Sequence, residues 1–166
     1  MNKINLSINQ IIMKYSTFDE FISFTKKLNI QNIEIRNDIE NNLIKENEPE
    51  KIKDICDSHS VRILTINALQ KFNIWDEKRK SELIELCIYA NKANIRAIVL
   101  VPLNDGSITN ENDQINLLRK SLIEISKILN EYNIIGLVET LGFEKSTLRK
   151  KSLAIKIINE IKSTKI

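Results

Sequence analysis

The sequence predicts an α/β fold of parallel strand–helix units, and three observations carry that prediction. Short apolar runs recur at roughly 30-residue spacing, each followed by a longer stretch of helical periodicity, the pattern of βαβ units with right-handed crossovers. The runs at 95–102, Arg96 apart, and at 134–138 are continuously apolar rather than alternating, as strands covered on both faces of a parallel sheet would be. The length of 166 residues, with 42% hydrophobic and 28% charged side chains, suits one domain (1–166) with a buried core. A small doubly wound sheet and an incomplete β/α barrel both satisfy the pattern. The doubly wound sheet would normally bring a Gly-rich phosphate loop, and neither GxGxxG nor a P-loop is present.

Residues 4–8 read as a first strand. At 16–20, Thr17 with Glu20 three residues on is a capping-box start to a helix whose apolar stripe is Phe18, Phe21, Ile22, Phe24 and Leu28. Residues 32–37 form the second strand, with Ile33 and Ile35 toward the helices and Glu34 and Arg36 on the opposite face; an ordinary half-exposed strand would look the same. Pro49 opens a helix that buries Ile52, Ile55 and Cys56. The third strand covers 61–67, and simple alternation sets Val61, Ile63, Thr65 and Asn67 on one face. Asn67 then lies where a ligand could be hydrogen-bonded. The loop 68–75 is rich in apolar and aromatic groups, as a pocket wall or a packed-down loop would be. A helix at 82–93 and a fourth strand at 95–102, ended by Pro102, follow. Asn104 and Asp105 sit in an Asn-Asp-Gly turn after that strand. A long helix spans 112–132, and a last one spans 147–162 with Leu153, Ile157, Ile158 and Ile161 inward.

The fifth strand is the most informative stretch. It is apolar until Glu139, where a Gly-containing turn begins, and in parallel sheets the C-terminal strand ends carry the chemistry. Alternation puts Leu137 and Glu139 on one side. Such a carboxylate suits metal ligation or proton transfer, and equally a capping or salt-bridging role. His59, the one histidine, precedes the third strand and so falls at the other end of the sheet.

The net charge of +3 is spread as Lys alternating with Glu, without the basic stripe of a phosphate-backbone binder, so nucleic acid is not indicated. Cys56 and Cys87 lack a CxxC or Cys/His neighbourhood and read as reduced, buried residues. No signal-peptide pattern and no apolar run of about 18 residues occurs, so no membrane partner is expected and the location expected is cytoplasmic.

Four stretches taken together resemble a known family: 33–38 (Ile-Glu-Ile-Arg-Asn-Asp), 65–69 (Thr-Ile-Asn-Ala-Leu) with Phe72 and Trp75, 101–106 (Val-Pro-Leu-Asn-Asp-Gly), and 137–143 (Leu-Val-Glu-Thr-Leu-Gly-Phe). They look like the xylose-isomerase-like TIM barrels, which include sugar phosphate isomerases/epimerases, inosose isomerases and endonuclease IV relatives. The resemblance implies a TIM barrel truncated after about five of eight (β/α) units. It also implies a divalent metal (Mn, Zn, Mg or Co) at the mouth, held by a Glu after strand five, an Asp after strand six, a His after strand seven and a Glu after strand eight. Glu139 matches the first, giving it a metal-ligand and catalytic role; the other three have no counterpart, so stable metal binding by this chain alone is not expected. Glu34, Arg36, Asn67 and Asn104 fall at substrate-binding places. Endonuclease IV also uses His ligands on early strands, absent here, which disfavours DNA repair.

In complete relatives a metal bridging a hydroxyl and a neighbouring carbonyl would acidify the intervening C–H, and a carboxylate would move the proton on a sugar, polyol or keto-sugar. The implied function is therefore sugar phosphate isomerase/epimerase-like, with this chain an N-terminal portion inactive alone. The alternative is a non-catalytic small-molecule-binding or assembly module derived from such a barrel. Open strand edges would favour self-association or a complementing C-terminal half-barrel.

Overall fold

The computed structural model describes residues 6–40 and 42–166. In chain order the elements are β1 (Ser7–Asn9), a 3-10 turn (Gln10–Met13), α1 (Phe18–Lys27), β2 (Asn32–Arg36), α2 (Leu43–Glu46), α3 (Pro49–Ser58), β3 (Arg62–Gln70), α4 (Glu77–Lys92), β4 (Ala97–Val101), α5 (Glu111–Tyr132), β5 (Ile135–Val138) and α6 (Lys151–Ile161). The five strands follow one another across a single sheet in chain order. The chain divides into two compact units, one reaching Ala68 and including Tyr89–Ala97, the other comprising Leu69–Ile88 and Ile98–Ile166.

In the first unit, the expected strand at 4–8 is Ser7–Asn9, and its first two residues lie outside the described ones. α1 begins with the capping box: Thr17 Oγ1 accepts the Glu20 N–H at 3.3 Å, and Glu20 Oε2 accepts the Thr17 N–H at 2.8 Å. Phe18, Phe21 and Ile22 are buried, whereas Leu28, expected inside, is the C-terminal cap and about half exposed. Thr25 takes the inward place and meets its hydroxyl's need locally, donating to the Ile22 carbonyl at 2.7 Å.

β1, β2 and β3 pair in parallel, Asn9 opposite Glu34. Between β2 and β3 the register slips: Ile33 faces Ile63, but Glu34 faces Thr65 and Ile35 faces Ile66. Leu64 is thus an extra residue, and one inserted residue exchanges the faces of everything beyond it. Simple alternation over Val61, Ile63, Thr65 and Asn67 is therefore corrected. Ile63 joins Ile33, Ile35 and Ile66 in the core, while Thr65 and Asn67 share a face with Glu34 and Arg36. β3 also runs on to Gln70, taking in Ala68 and Leu69, which are buried.

In the second unit, β4 is buried at all five positions. β5 is not: Gly136 is buried, but Ile135 and Leu137 on the other face are 41% and 44% exposed, so the expected two-sided cover is present on one side only. A Cβ on Gly136 would stand 2.6 Å from Leu129 Cδ1 and 3.0 Å from Leu100 Cδ1; the missing side chain is what lets α5 seat against β4 and β5. Asn110 caps α5 by accepting the Asp113 N–H, and Asn133 ends it in the left-handed region at φ 55°. The Gly136 N–H donates to the Lys165 carbonyl at 2.6 Å, so the residues after α6 lie along β5. α6 starts at Lys151 rather than 147, because Thr147 is engaged elsewhere.

Candidate functional site

In the first unit the strand ends gather a polar cluster around Glu34. Its carboxylate accepts three hydrogen bonds: from Thr65 Oγ1 at 2.6 Å, from Asn67 Nδ2 at 3.2 Å, and from Asn9 Nδ2. All three donors come from strands paired beside Glu34, and the bulge at Leu64 is what turns Thr65 and Asn67 toward it. Asn67 is buried. Its backbone is gripped by Asn37: the Asn37 N–H donates to the Asn67 carbonyl at 3.0 Å, Asn37 Oδ1 accepts the Ala68 N–H at 2.7 Å, and Asn37 Nδ2 donates to the Ala68 carbonyl at 3.0 Å. The Asn67–Ala68 peptide bond is cis. Arg36, on the same strand face as Glu34, pairs with Asp38. Its guanidinium forks onto Asp38, Nε to Oδ1 at 2.7 Å and Nη2 to Oδ2 at 2.6 Å, the bidentate geometry that suits Arg and carboxylate.

In the second unit, Glu139 follows β5 directly; its N–H donates to the Leu100 carbonyl at 3.0 Å and the residue is half-buried. Asn104 is exposed in the turn after β4. That turn is built by its neighbour: Asp105 Oδ1 accepts the Ser107 Oγ–H at 2.6 Å and the Ser107 N–H at 3.0 Å, and these bonds hold the Asp105 carboxyl below its ordinary range. Gly106 supplies the positive φ of 80°.

The loops after β3, β4 and β5 are pinned by residues that sequence reasoning passed over. Asn73 is fully buried; its Oδ1 accepts the Leu103 N–H at 2.8 Å, and its Nδ2 donates to Thr147 Oγ1 at 2.8 Å. Thr147 returns two bonds to the Leu103 carbonyl, from its hydroxyl at 2.8 Å and its N–H at 2.9 Å. A single polar residue between Phe72 and Ile74 was the available signal. Of the expected loop 68–75, residues 68–70 are strand instead, and the remainder is packed down, with Phe72 in the core.

His59 caps the end of α3 and is exposed, its Nδ1 within 2.9 Å of the Ile55 carbonyl. A cavity of about 610 Å³ lies at that same end of the strands, lined by Lys53, Asp57, Arg62 and Asn94 among others. It lies at the beginnings of β2 and β3, away from the ends that carry Arg36 and Asn67, and Lys53 is already bridged to Asp57 at 2.7 Å. Both cysteines are free and buried, and burial pushes each thiol up to about 12. Among the described residues no helix is long and apolar enough to cross a membrane.

Residues 22–166 match the family model of the xylose isomerase-like TIM barrel. The chain belongs to this family. Its parallel (β/α) sheet is five strands of that eight-stranded barrel. Among solved structures it is similar to a xylose isomerase domain containing protein from Salmonella typhimurium LT2, with 29% identity and a TM-score of 0.86 over 99% of this chain and 60% of that one. It is also similar to the IolI protein with a bound zinc atom (21% identity, TM-score 0.87, 98% of this chain and 60% of that one) and to D-psicose 3-epimerase in the presence of D-fructose (14%, 0.77, 98% and 61%). The last two likenesses show the fold. No curated protein matches the sequence at a significant level. The chain thus spans about three-fifths of the length of these xylose isomerase-like barrels.

A divalent metal at a barrel mouth needs about four donors. Among the described residues no three His, Cys, Asp or Glu side chains come together in a way that could hold one. The residues present therefore do not compose a metal centre by themselves, and Glu139 stands as a single carboxylate.

Proposed function

We propose that this chain supplies the early strand–helix units of a sugar phosphate isomerase- or epimerase-like barrel acting on a sugar, polyol or keto-sugar, in the cytoplasm, and that alone it does not turn substrate over. The observation that carries this reading is the family match over residues 22–166, in a chain whose polar residues cluster at C-terminal strand ends, where such barrels place their chemistry. Asn67 and Asn104 hydrogen-bond substrate hydroxyls, and Arg36, held by Asp38, keeps a cation at the rim. Glu139 offers the carboxylate that ligates a metal or moves a proton beside a carbonyl; further donors come from outside these residues.

A second reading, a non-catalytic sugar-binding or assembly module, is favoured by the lack of a three-donor cluster among the described residues. The two part on one experiment. The chain is mixed with a polypeptide carrying the last three strand–helix units of the Salmonella relative, and D-fructose isomerisation or epimerisation is followed with Mn²⁺. The catalytic reading expects turnover that Glu139→Gln abolishes; the module reading expects D-fructose binding, measured by calorimetry, without turnover and unaffected by that substitution. Turnover by the chain alone would refute both.

A further inference from the structure

Three donors converge on the Glu34 carboxylate, and that count bears on what Glu34 is for. A carboxylate offers about four acceptor positions, so three bonds from Thr65, Asn67 and Asn9 leave little capacity for a substrate hydroxyl. Asn67 is in the opposite condition. Only its NH₂ group can face a carboxylate, so the bond to Glu34 fixes the amide one way round, with Nδ2 inward and the carbonyl oxygen Oδ1 turned away. Its backbone is held as well: the Asn37 N–H donates to the Asn67 carbonyl, and the Asn37 side-chain amide pairs with the N–H and carbonyl of the next residue, Ala68. An amide held at both ends presents an acceptor, Oδ1, beside a second N–H donor, which is the pattern that pairs with two adjacent hydroxyls.

We propose that Glu34 is a positioning residue for Asn67, orienting its amide as a donor–acceptor pair for a ligand with vicinal hydroxyls, and does not itself contact that ligand. This rests on the reading of Asn67 as a sugar contact, and refines the role of Glu34 within it. Asn37 acts in the same direction on the backbone, and is in turn braced by Asn42, whose Nδ2 donates to the Asn37 carbonyl at 2.6 Å.

The test uses the full chain, ¹⁵N-labelled, and reads two things. The first needs no ligand: hydrogen exchange of the Asn67 side-chain amide should be slow in the wild type and at least about tenfold faster in Glu34→Gln, because an amide in place of the carboxylate no longer dictates the orientation. Thr65→Val, which removes a different donor, should leave it slow. The second is a double-mutant cycle on D-fructose binding: Glu34→Gln should weaken binding about tenfold in the wild type and not at all in an Asn67→Ala background. Equal losses in both backgrounds would mean that Glu34 touches the sugar, and unchanged Asn67 exchange in Glu34→Gln would mean that it does not orient the amide; either overturns the proposal. If the wild type binds no D-fructose, the sugar-contact reading fails, and the exchange measurement still decides whether Glu34 positions Asn67. Should Glu34→Gln not fold, Glu34→Asp, which keeps the charge and shortens its reach, gives the same exchange readout.

Discussion

Replacing Asn73 should loosen the loops that carry Asn104 and lead from Glu139, and the cost can be worked from its bonds. Asn73→Ala removes the acceptor of the Leu103 N–H and the donor to Thr147 Oγ1, at a fully buried position. A buried N–H left unsatisfied costs about 1–3 kcal/mol, and the small cavity adds about 1 kcal/mol, so a loss of about 2–4 kcal/mol is expected. For a chain of this size that is a fall in melting temperature of roughly 4–16 °C. Asn73→Asp keeps the acceptor for Leu103 but buries a charge and sets an acceptor against Thr147 Oγ1. Burial raises the pKa of such a carboxyl in the folded state above its unfolded value, so the ionised form is penalised on folding. Its deficit relative to wild type should be largest at pH 7 and shrink as the pH falls toward about 4, where the unfolded carboxyl takes up its proton too. Circular-dichroism melts of both variants at pH 7 and pH 4.5 check this. An Asn73→Ala variant melting within a degree of wild type, or an Asn73→Asp deficit that grows on acidification, would refute the clamp.

Three further outcomes follow from the packing. Gly136→Ala should destabilise by about 1–3 kcal/mol, since its methyl meets Leu129 and Leu100, and Leu129→Val should relieve part of that loss in the double variant, seen as non-additive melting temperatures. Cys56 and Cys87, with thiols pushed up to about 12 by burial, should resist iodoacetamide at pH 8 in the folded chain and react in urea, as mass spectrometry will show. With Ile135 and Leu137 exposed on one face of β5, the chain should associate at raised concentration or bind a hydrophobic dye; a dilute, dye-silent, sharply melting monomer in analytical ultracentrifugation would speak against an open barrel.

Much of the fold was legible because local signals agreed with the global arrangement. The Thr17/Glu20 pair, the Pro49 helix start and the apolar run of β4 each read correctly from a few residues. The bulge at Leu64 did not, because Ile63-Leu-Thr-Ile66 satisfies an alternating pattern in either register, and the choice is made by pairing with β2. That hidden slip is why the sequence set Thr65 and Asn67 on one face with Ile63, and offered Glu34 and Asn67 as candidates without joining them, through Thr65, into one hydrogen-bonded cluster. The start of α6 was misplaced for a related reason: Thr147 resembles a cap, yet its hydroxyl is bound to Leu103 and Asn73, partners distant in sequence. Asn104 was legible as a turn residue and stays one, exposed beside Asp105.

The central claim is that Glu139 is the carboxylate this chain brings to a barrel mouth, and Mn²⁺ titration of the ¹⁵N-labelled chain tests it most directly. One carboxylate of about four donors should give weak, millimolar-range binding, with paramagnetic line broadening strongest at residues 138–141 and lost from that segment in Glu139→Gln while the melting temperature holds. Broadening that leaves 138–141 untouched, or that persists there in Glu139→Gln, would contradict the assignment.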